Sequence, residues 1–316
     1  MAPCIHQFDH RNPANESCAS SVKAIQEFLT YLIYSALWRI VRLLPERTAY
    51  KFFERIAERA YRKNGKRIAR LRENYRQVLP LLENDELEAL VRSGVSSAMR
   101  YWCDTFRISD WSQERVAATV TTENNELFLD SVKSGKGVII ALPHAGNWDH
   151  AGLYYCSQGI KVHTVAEHLR PERLFRRFLA HRERMGMKVL DLEEKVTDQL
   201  INFLQEGKLV ALVADRDLSR SGVDVEFFDA NARMPAGPAL LAIKTEANLI
   251  TAYVSFTEIG INIRFSGPFL VRRSQSESDE IQRLTQELAN QFARDIKSDP
   301  SSWHMQQRIF VERVNK

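Results

Sequence analysis

From Val116 onward the sequence alternates short β-rich apolar runs with amphipathic helical patterns. The strand candidates are Val138–Leu142, Val162–Ala166, Lys188–Leu192, Leu209–Ala214, Val223–Phe228, Leu249–Phe256 and Ile261–Phe265. Helical spacing fills 148–158, 171–185, 193–206 and 237–246 between them. A longer pattern at 278–297 keeps Ile281, Leu284, Leu288, Phe292 and Ile296 on one face. Such alternation predicts an α/β fold, with helices flanking a central mixed, mostly parallel sheet. No internal repeat is visible, and 316 residues suffice for a core with a pocket in it.

The first third reads differently. Residues 1–20 are polar and aperiodic, and are expected to form a disordered tail. Residues 21–115 read as an N-terminal helical lobe, ahead of an α/β core over 116–316. In this lobe 21–45 ends at Pro45, 46–78 carries one or two basic helices, and 83–108 follows with Asn84 as a candidate cap. Phe28, Tyr31, Tyr34 and Trp38 lie among aliphatics, with Arg39 and Arg42 just behind. Aromatic rings beside arginines suit a membrane–water interface; a helix packed on its own domain is the plainer alternative. From Arg39 to Arg76 there are 13 Lys/Arg against 4 Glu, within a whole-chain charge of only +4. The total is too small to imply nucleic acid, but the basic block suits an anionic surface. No run reaches the length of a membrane span, and none reads as a signal peptide. The four cysteines form no CxxC pair and read as reduced thiols of a cytosolic protein.

Three clusters sit where predicted strands end. In GVIIALPHAGNWDHAG (137–152) an apolar strand runs into Pro143 and His144. Asn147 can cap a helix that carries Asp149 in its first turn. Across such a corner the Asp149 carboxylate can reach back to the imidazole, which suits a general base; a simple His–Asp capping pair is the alternative. Main-chain N–H groups of the same turn are candidates for holding an oxyanion. In LVALVADRDLSRSGVDVEFF (209–228) a second strand opens into Asp215, Arg216 and Asp217. A solvated turn explains these charges equally well, and no oxygen cage completes a metal site. In ARMPAGPALLAIKT (232–245) Arg233 precedes a helix begun by Gly237 and Pro238, an arrangement that suits an anion or a plain turn. Metal hydrolases are disfavoured because HExxH is absent and the histidines lack ligand spacing. Cys156 reads as helix core.

Together the clusters resemble the bacterial HxxxxD lipid acyltransferases, which include the lipid A lauroyl and myristoyl transferases. The closer resemblance is to the actinobacterial phosphatidylinositol mannoside acyltransferases. It rests on PHAGNWDHAG (143–152), AEHLRPERLFRRFLAHRERMGMKVL (166–190), VADRDLSRSGVDVEFF (213–228), RMPAGPALLA (233–242) and PSSWHMQQRIF (300–310), within a likeness covering 25–312.

This resemblance implies transfer of a long fatty acyl group from acyl-CoA, as co-substrate and with no cofactor or metal. The acceptor would be the 6-hydroxyl of the mannose on the inositol 2-position of phosphatidylinositol mono- or dimannoside. His144 and Asp149 match the family's motif pair, and Glu167 and Arg182 its polar groove. Asp215 falls near an acidic residue that helps hold the histidine, usually Glu, with Asp224 and Glu226 as fallback positions. Asn147, Arg216 and Arg233 are further substrate-binding candidates, and Arg170, Arg173, Arg176 and Arg177 are candidates for the phosphates of coenzyme A. The implied location is peripheral, on the cytoplasmic face of the cell membrane, docked through 21–76. Two alternatives stay open: a lipid A-type or other glycolipid acyltransferase using acyl carrier protein or acyl-CoA, and a non-catalytic peripheral membrane lipid-binding protein.

Overall fold

The computed structural model describes residues 13–168, 170–192, 196–217, 222–272 and 276–311, with side chains from residue 25. Four helices come first: α1 Pro13–Leu43, α2 Glu46–Lys63, α3 Lys66–Val78 and α4 Asn84–Arg107. Then follow α5 Gln113–Ala118, β1 Val120–Glu123, α6 Asn125–Lys133, β2 Val138–Leu142, α7 Trp148–Ser157, β3 Val162–Ala166, α8 Glu172–Arg184 and β4 Lys188–Asp191. The chain continues through α9 Val196–Gln205, β5 Leu209–Val213, β6 Val223–Phe227, β7 Ala230–Met234, α10 Gly237–Thr245, β8 Asn248–Phe256, β9 Ile261–Ser266 and α11 Glu277–Ser298.

Seven strands form one sheet in the order β1-β9-β8-β2-β5-β3-β4. Only β8 and β9 pair antiparallel; the other neighbours are parallel. The fold is therefore α/β with a mixed, mostly parallel sheet and an N-terminal helical region. Strand β2 lies near the middle and every one of its residues is buried. Ile139 and Ala141 join a core beneath α3, α4, α9, α10 and α11, while Val138, Ile140 and Leu142 join a second core beneath α6 and α7. That double burial is why this strand reads as an unbroken apolar run rather than an alternating one.

From β2 the chain crosses to β3, on the far side of β5. From β5 it crosses to β8, on the far side of β2. The two connections diverge, which opens a crevice at the carboxyl ends of β2 and β5.

Several expectations need correction. The Val223–Phe228 run does not enter the main sheet. As β6 it pairs antiparallel with β7, forming a separate hairpin against α11. Gln282 and Gln286 of α11 bond the main chain at Asp224 and Glu226, satisfying an edge the sheet does not cover. Strand β1 is the polar stretch VTTE at the sheet edge, with no apolar signature to announce it. Asn84 does not cap α4. Glu83 does, in a reciprocal capping box with Glu86. Residues 1–12 of the expected tail lie outside the described residues, and α1 begins at Pro13.

Helix α1 packs on the core through few residues. Trp38 and Val41 are buried, and the Trp38 indole donates to the Phe106 carbonyl at 3.0 Å. Phe28, Leu29, Leu32, Ile33, Leu37 and Ile40 remain exposed. Beneath Trp38 lies His181 of α8, fully buried, with ring centroids 4.9 Å apart. Neither His181 ring nitrogen makes a hydrogen bond among the described residues. Burial lowers its pKa to about 4, against the smaller opposing pull of the Asp149 carboxylate and the Thr105 main chain.

A histidine whose folded pKa lies below its unfolded value contributes stability that is complete above the unfolded pKa and is lost as pH falls toward the folded one. For His181 that window runs from 6.5 down to about 4. His181→Leu keeps the volume and removes the titration. Relative to wild type, its stability should therefore be greater at pH 5 than at pH 8 by about 2 kcal/mol. Urea melts at the two pH values check this; an equal difference at both contradicts it.

Candidate active site

Strands β2 and β5 are in register with Leu142 opposite Val213. Two residues beyond each partner stand His144 and Asp215. One further ladder bond, Ala214 N–H to the Leu142 carbonyl at 2.8 Å, keeps the strands together to that point. The parallel pairing thus delivers an imidazole and a carboxylate to the same place.

His144 Nδ1 lies 2.5 Å from Asp215 Oδ1. The other carboxylate oxygen, Oδ2, accepts the His144 main-chain N–H at 3.0 Å and the Trp303 indole N–H at 2.9 Å. Asp215 is completely buried, whereas the His144 side chain is about one-third exposed. Burial pushes the Asp215 carboxyl up. The charge and hydrogen bonds of His144, with the Trp303 donor, outweigh this and hold it below the ordinary value. With Nδ1–H donated to a carboxylate, Nε2 carries the lone pair. The Trp148 ring meets the imidazole edge-on at 5.7 Å.

The loop between β2 and α7 is tightly determined. Gly146 sits at φ +57°, and a Cβ there would meet the Val254 carbonyl oxygen at 2.4 Å, so only glycine fits. Its N–H donates to Ser302 O at 2.9 Å, and its carbonyl accepts from His304 Nε2 at 3.1 Å. Burial lowers the His304 pKa to about 4, so this ring is neutral near pH 7. Asn147 caps α7 by accepting the His150 N–H at 3.0 Å. The N–H groups of His144, Ala145 and Gly146 are all spent on protein acceptors. For these three N–H groups the expectation of an oxyanion contact is corrected accordingly.

Asp149 does not reach back to His144. Once Asn147 starts the helix, Asp149 turns toward α8, where Arg182 Nε bonds its Oδ1 at 2.8 Å. Tyr101 of α4 donates to Oδ2 at 3.2 Å. The carboxylate is 2% exposed, and this buried pair ties α7, α8 and α4 together behind the histidine. Burial alone would lower the Arg182 pKa; the Asp149 charge drives it upward overall.

The other predicted residues scatter. Glu167 is exposed just past β3. Arg216 follows Asp215, and its Nε is buried without a hydrogen-bond partner among the described residues. Arg233 lies on β7 and donates through Nε and a terminal nitrogen to the Gly222 carbonyl, both at 3.1 Å. It therefore braces the hairpin. Asp224 and Glu226 lie on β6, away from the imidazole, with Asp224 3.7 Å from Arg233. Arg173 and Arg177 lie over the Phe28 and Trp38 rings of α1, and Arg176 pairs with Glu172. Arg170 is exposed ahead of α8. No group of His, Cys, Asp or Glu able to hold a metal occurs among the described residues. Burial raises the Cys156 thiol, which keeps it protonated. Trp303, His304 and Tyr101 escaped the reading of single residues. Trp303 and His304 stand in the PSSWHMQQRIF string, but no spacing rule links position 303 to position 215.

Chemically the arrangement is a solvent-facing imidazole backed by an ionised, water-excluded carboxylate, which is what proton abstraction from a hydroxyl requires. The model of the bacterial lipid A biosynthesis acyltransferase family matches residues 17–311. A phosphatidylinositol mannoside acyltransferase of Mycolicibacterium smegmatis is 36% identical over 286 residues, spanning 90% of this chain and 92% of its own. Two proteins of the same name from Mycobacterium tuberculosis strains are each 36% identical over 279 residues, spanning 87% of this chain and 86% of theirs. A family match running through all three strand-end clusters, and relatives alike along nearly their whole length, place the chain in the bacterial lipid A biosynthesis acyltransferase family, as an acyltransferase.

Proposed function

We propose that this acyltransferase moves a long, palmitoyl-like fatty acyl group from acyl-CoA to the 6-hydroxyl of the mannose on the inositol 2-position of phosphatidylinositol mono- or dimannoside. The acceptor class rests on the names of the relatives. The His144 Nδ1–Asp215 bond carries the mechanism. His144 Nε2 takes the proton of the mannose hydroxyl as its oxygen attacks the thioester carbonyl. Asp215 fixes the tautomer and stabilises the imidazolium that forms. As the tetrahedral intermediate collapses, the C–S bond breaks and His144 returns the proton to the thiolate. The products are an ester and free coenzyme A, and no serine or cysteine nucleophile enters.

Asp149 acts at one remove, through Arg182, by holding α7 and α8 against each other. Arg216 is the substrate-binding candidate best supported, because its buried Nε meets no acceptor among the described residues. Asn147 serves by capping the helix behind the histidine. Glu167 is left to the rim, and Arg233 to bracing the hairpin beside the site.

The acceptor is a lipid, and α1 and α2 suit its bilayer. No helix among the described residues is long and apolar enough to cross a membrane. Besides the exposed apolar face of α1, α2 exposes Phe52 and Ile56 together with Arg47, Lys51, Arg55 and Arg59. An apolar stripe flanked by cations gains from both acyl-chain contact and anionic headgroups, at about 1 kcal/mol per basic residue near the surface. Docking at the cytoplasmic face of the cell membrane follows from this reading.

Single-turnover transfer from radiolabelled palmitoyl-CoA, with and without phosphatidylinositol mannosides, tests the reaction. Wild type should label the mannoside, and His144→Ala should give none while keeping the wild-type circular dichroism. Wild-type turnover by that variant ends the general-base reading; thioester hydrolysis with no labelled mannoside ends the acceptor assignment. Asp149→Asn strands the Arg182 charge and should cost about 3 kcal/mol of stability, measured by denaturant melts, together with most of the activity. Sedimentation with anionic vesicles, lost with zwitterionic ones or in high salt, checks the docking face. Ile33→Glu should abolish it in a folded protein.

A further inference from the structure

The buried carboxylate of the dyad has two oxygens, and only one faces the imidazole. On an aspartate the carboxylate swings about a soft terminal torsion, so its orientation depends on what holds the second oxygen. Here that oxygen accepts the His144 main-chain N–H at 3.0 Å and, as its one side-chain donor among the described residues, the Trp303 indole N–H at 2.9 Å, from a residue 88 positions away in sequence. We propose that Trp303 is a positioning residue of the transfer reaction: its indole N–H pins Asp215 Oδ2, so that Oδ1 stays aimed at His144 Nδ1. This inference rests on the general-base reading above.

An indole N–H suits the task because it donates and cannot accept. It holds the carboxylate as an anion and never competes with the imidazole for the travelling proton. A hydroxyl or a water in its place would reorient as the dyad changes charge.

Trp303 is itself rigidly placed. It is fully buried and packs against the rings of Tyr75, Phe227 and Phe228. Its carbonyl accepts the Tyr75 hydroxyl at 3.0 Å, and its N–H donates to Pro300 O at 3.1 Å. It also forms a β-bridge with Ala145, the residue after the histidine. Its neighbours Ser302 and His304 bond the N–H and the carbonyl of Gly146. One C-terminal segment therefore clamps the histidine loop on one side and the carboxylate on the other.

The test compares pH profiles of acyl transfer for wild type and Trp303→Phe, which keeps an aromatic ring and removes the donor. Without the indole donor the carboxylate is free to swing, and Oδ1 no longer holds His144 Nδ1 in line. The acid limb of kcat/KM should shift, and kcat should fall about tenfold. KM for the acyl donor should stay within about twofold, since a fully buried side chain touches no substrate. An unmoved acid limb, with or without a fall in kcat, overturns the proposal and leaves Trp303 a packing residue.

Should the Phe variant fail to fold, ¹⁵N-tryptophan labelling of wild type and Asp215→Asn decides. The chain has 5 tryptophans. One indole resonance should lie downfield in wild type and move when the charged acceptor is removed; five unmoved resonances overturn the assignment. The two readings fail separately. Wild-type turnover by His144→Ala would end the base mechanism, whereas the indole resonance reports the Trp303 contact whatever His144 does.

Discussion

The bond between His144 Nδ1 and Asp215 Oδ1 is the interaction around which the site is organised. A carboxylate with no exposed surface is expensive to keep ionised, and it persists here because every donor around it favours the anion. Those donors come from places far apart in sequence. His144 supplies two of them from the end of β2, and Trp303 supplies the third from beyond α11. Adjacent parallel strands provide the geometry, because opposed residues leave the sheet together and point into one crevice. The divergence of the two crossovers keeps that crevice open.

Behind this dyad sits a second buried pair with a different task. Asp149 and Arg182 neutralise each other between α7 and α8, and Tyr101 adds a donor from α4. A buried ion pair contributes little net stability against an apolar replacement, but breaking one partner is costly, so it specifies a relative placement of helices. Helix α8 passes that placement outward, since Arg173, Arg177 and His181 all meet α1. The exposed apolar helix and the catalytic loop are thereby mechanically close, although they lie more than a hundred residues apart.

Much of the sheet was legible before any coordinates, for a specific reason. Strands such as Val138–Leu142 are buried on both faces and must be apolar throughout, whereas the helices between them need only one apolar face. Elements that escaped have no such requirement. The edge strand β1 is nearly all polar, and β7 reads as ANARM. The β6 run was visible as a strand but its partner was not, because local pattern says nothing about which strand lies alongside. The α4 cap moved by one residue because Glu83 and Glu86 reciprocate, which Asn84 cannot do with its own helix turn.

The site divides along the same line. Sequence by itself determined which residue types stand at the strand ends: a histidine after β2, an acid after β5, a capping Asn147, and a glycine wherever the turn demands it. Those are local requirements of strand exit and helix entry, fixed within a few residues. Only the tertiary structure decided which acid serves which base. Spacing within PHAGNWD favoured Asp149, five residues on, but helix α7 carries that carboxylate away to Arg182. Strand pairing brings Asp215 in instead, and the C-terminal segment adds Trp303. Hydrogen bonds depend on direction over about 3 Å, and direction across a fold is set by how strands and helices pack, which no count along the chain contains.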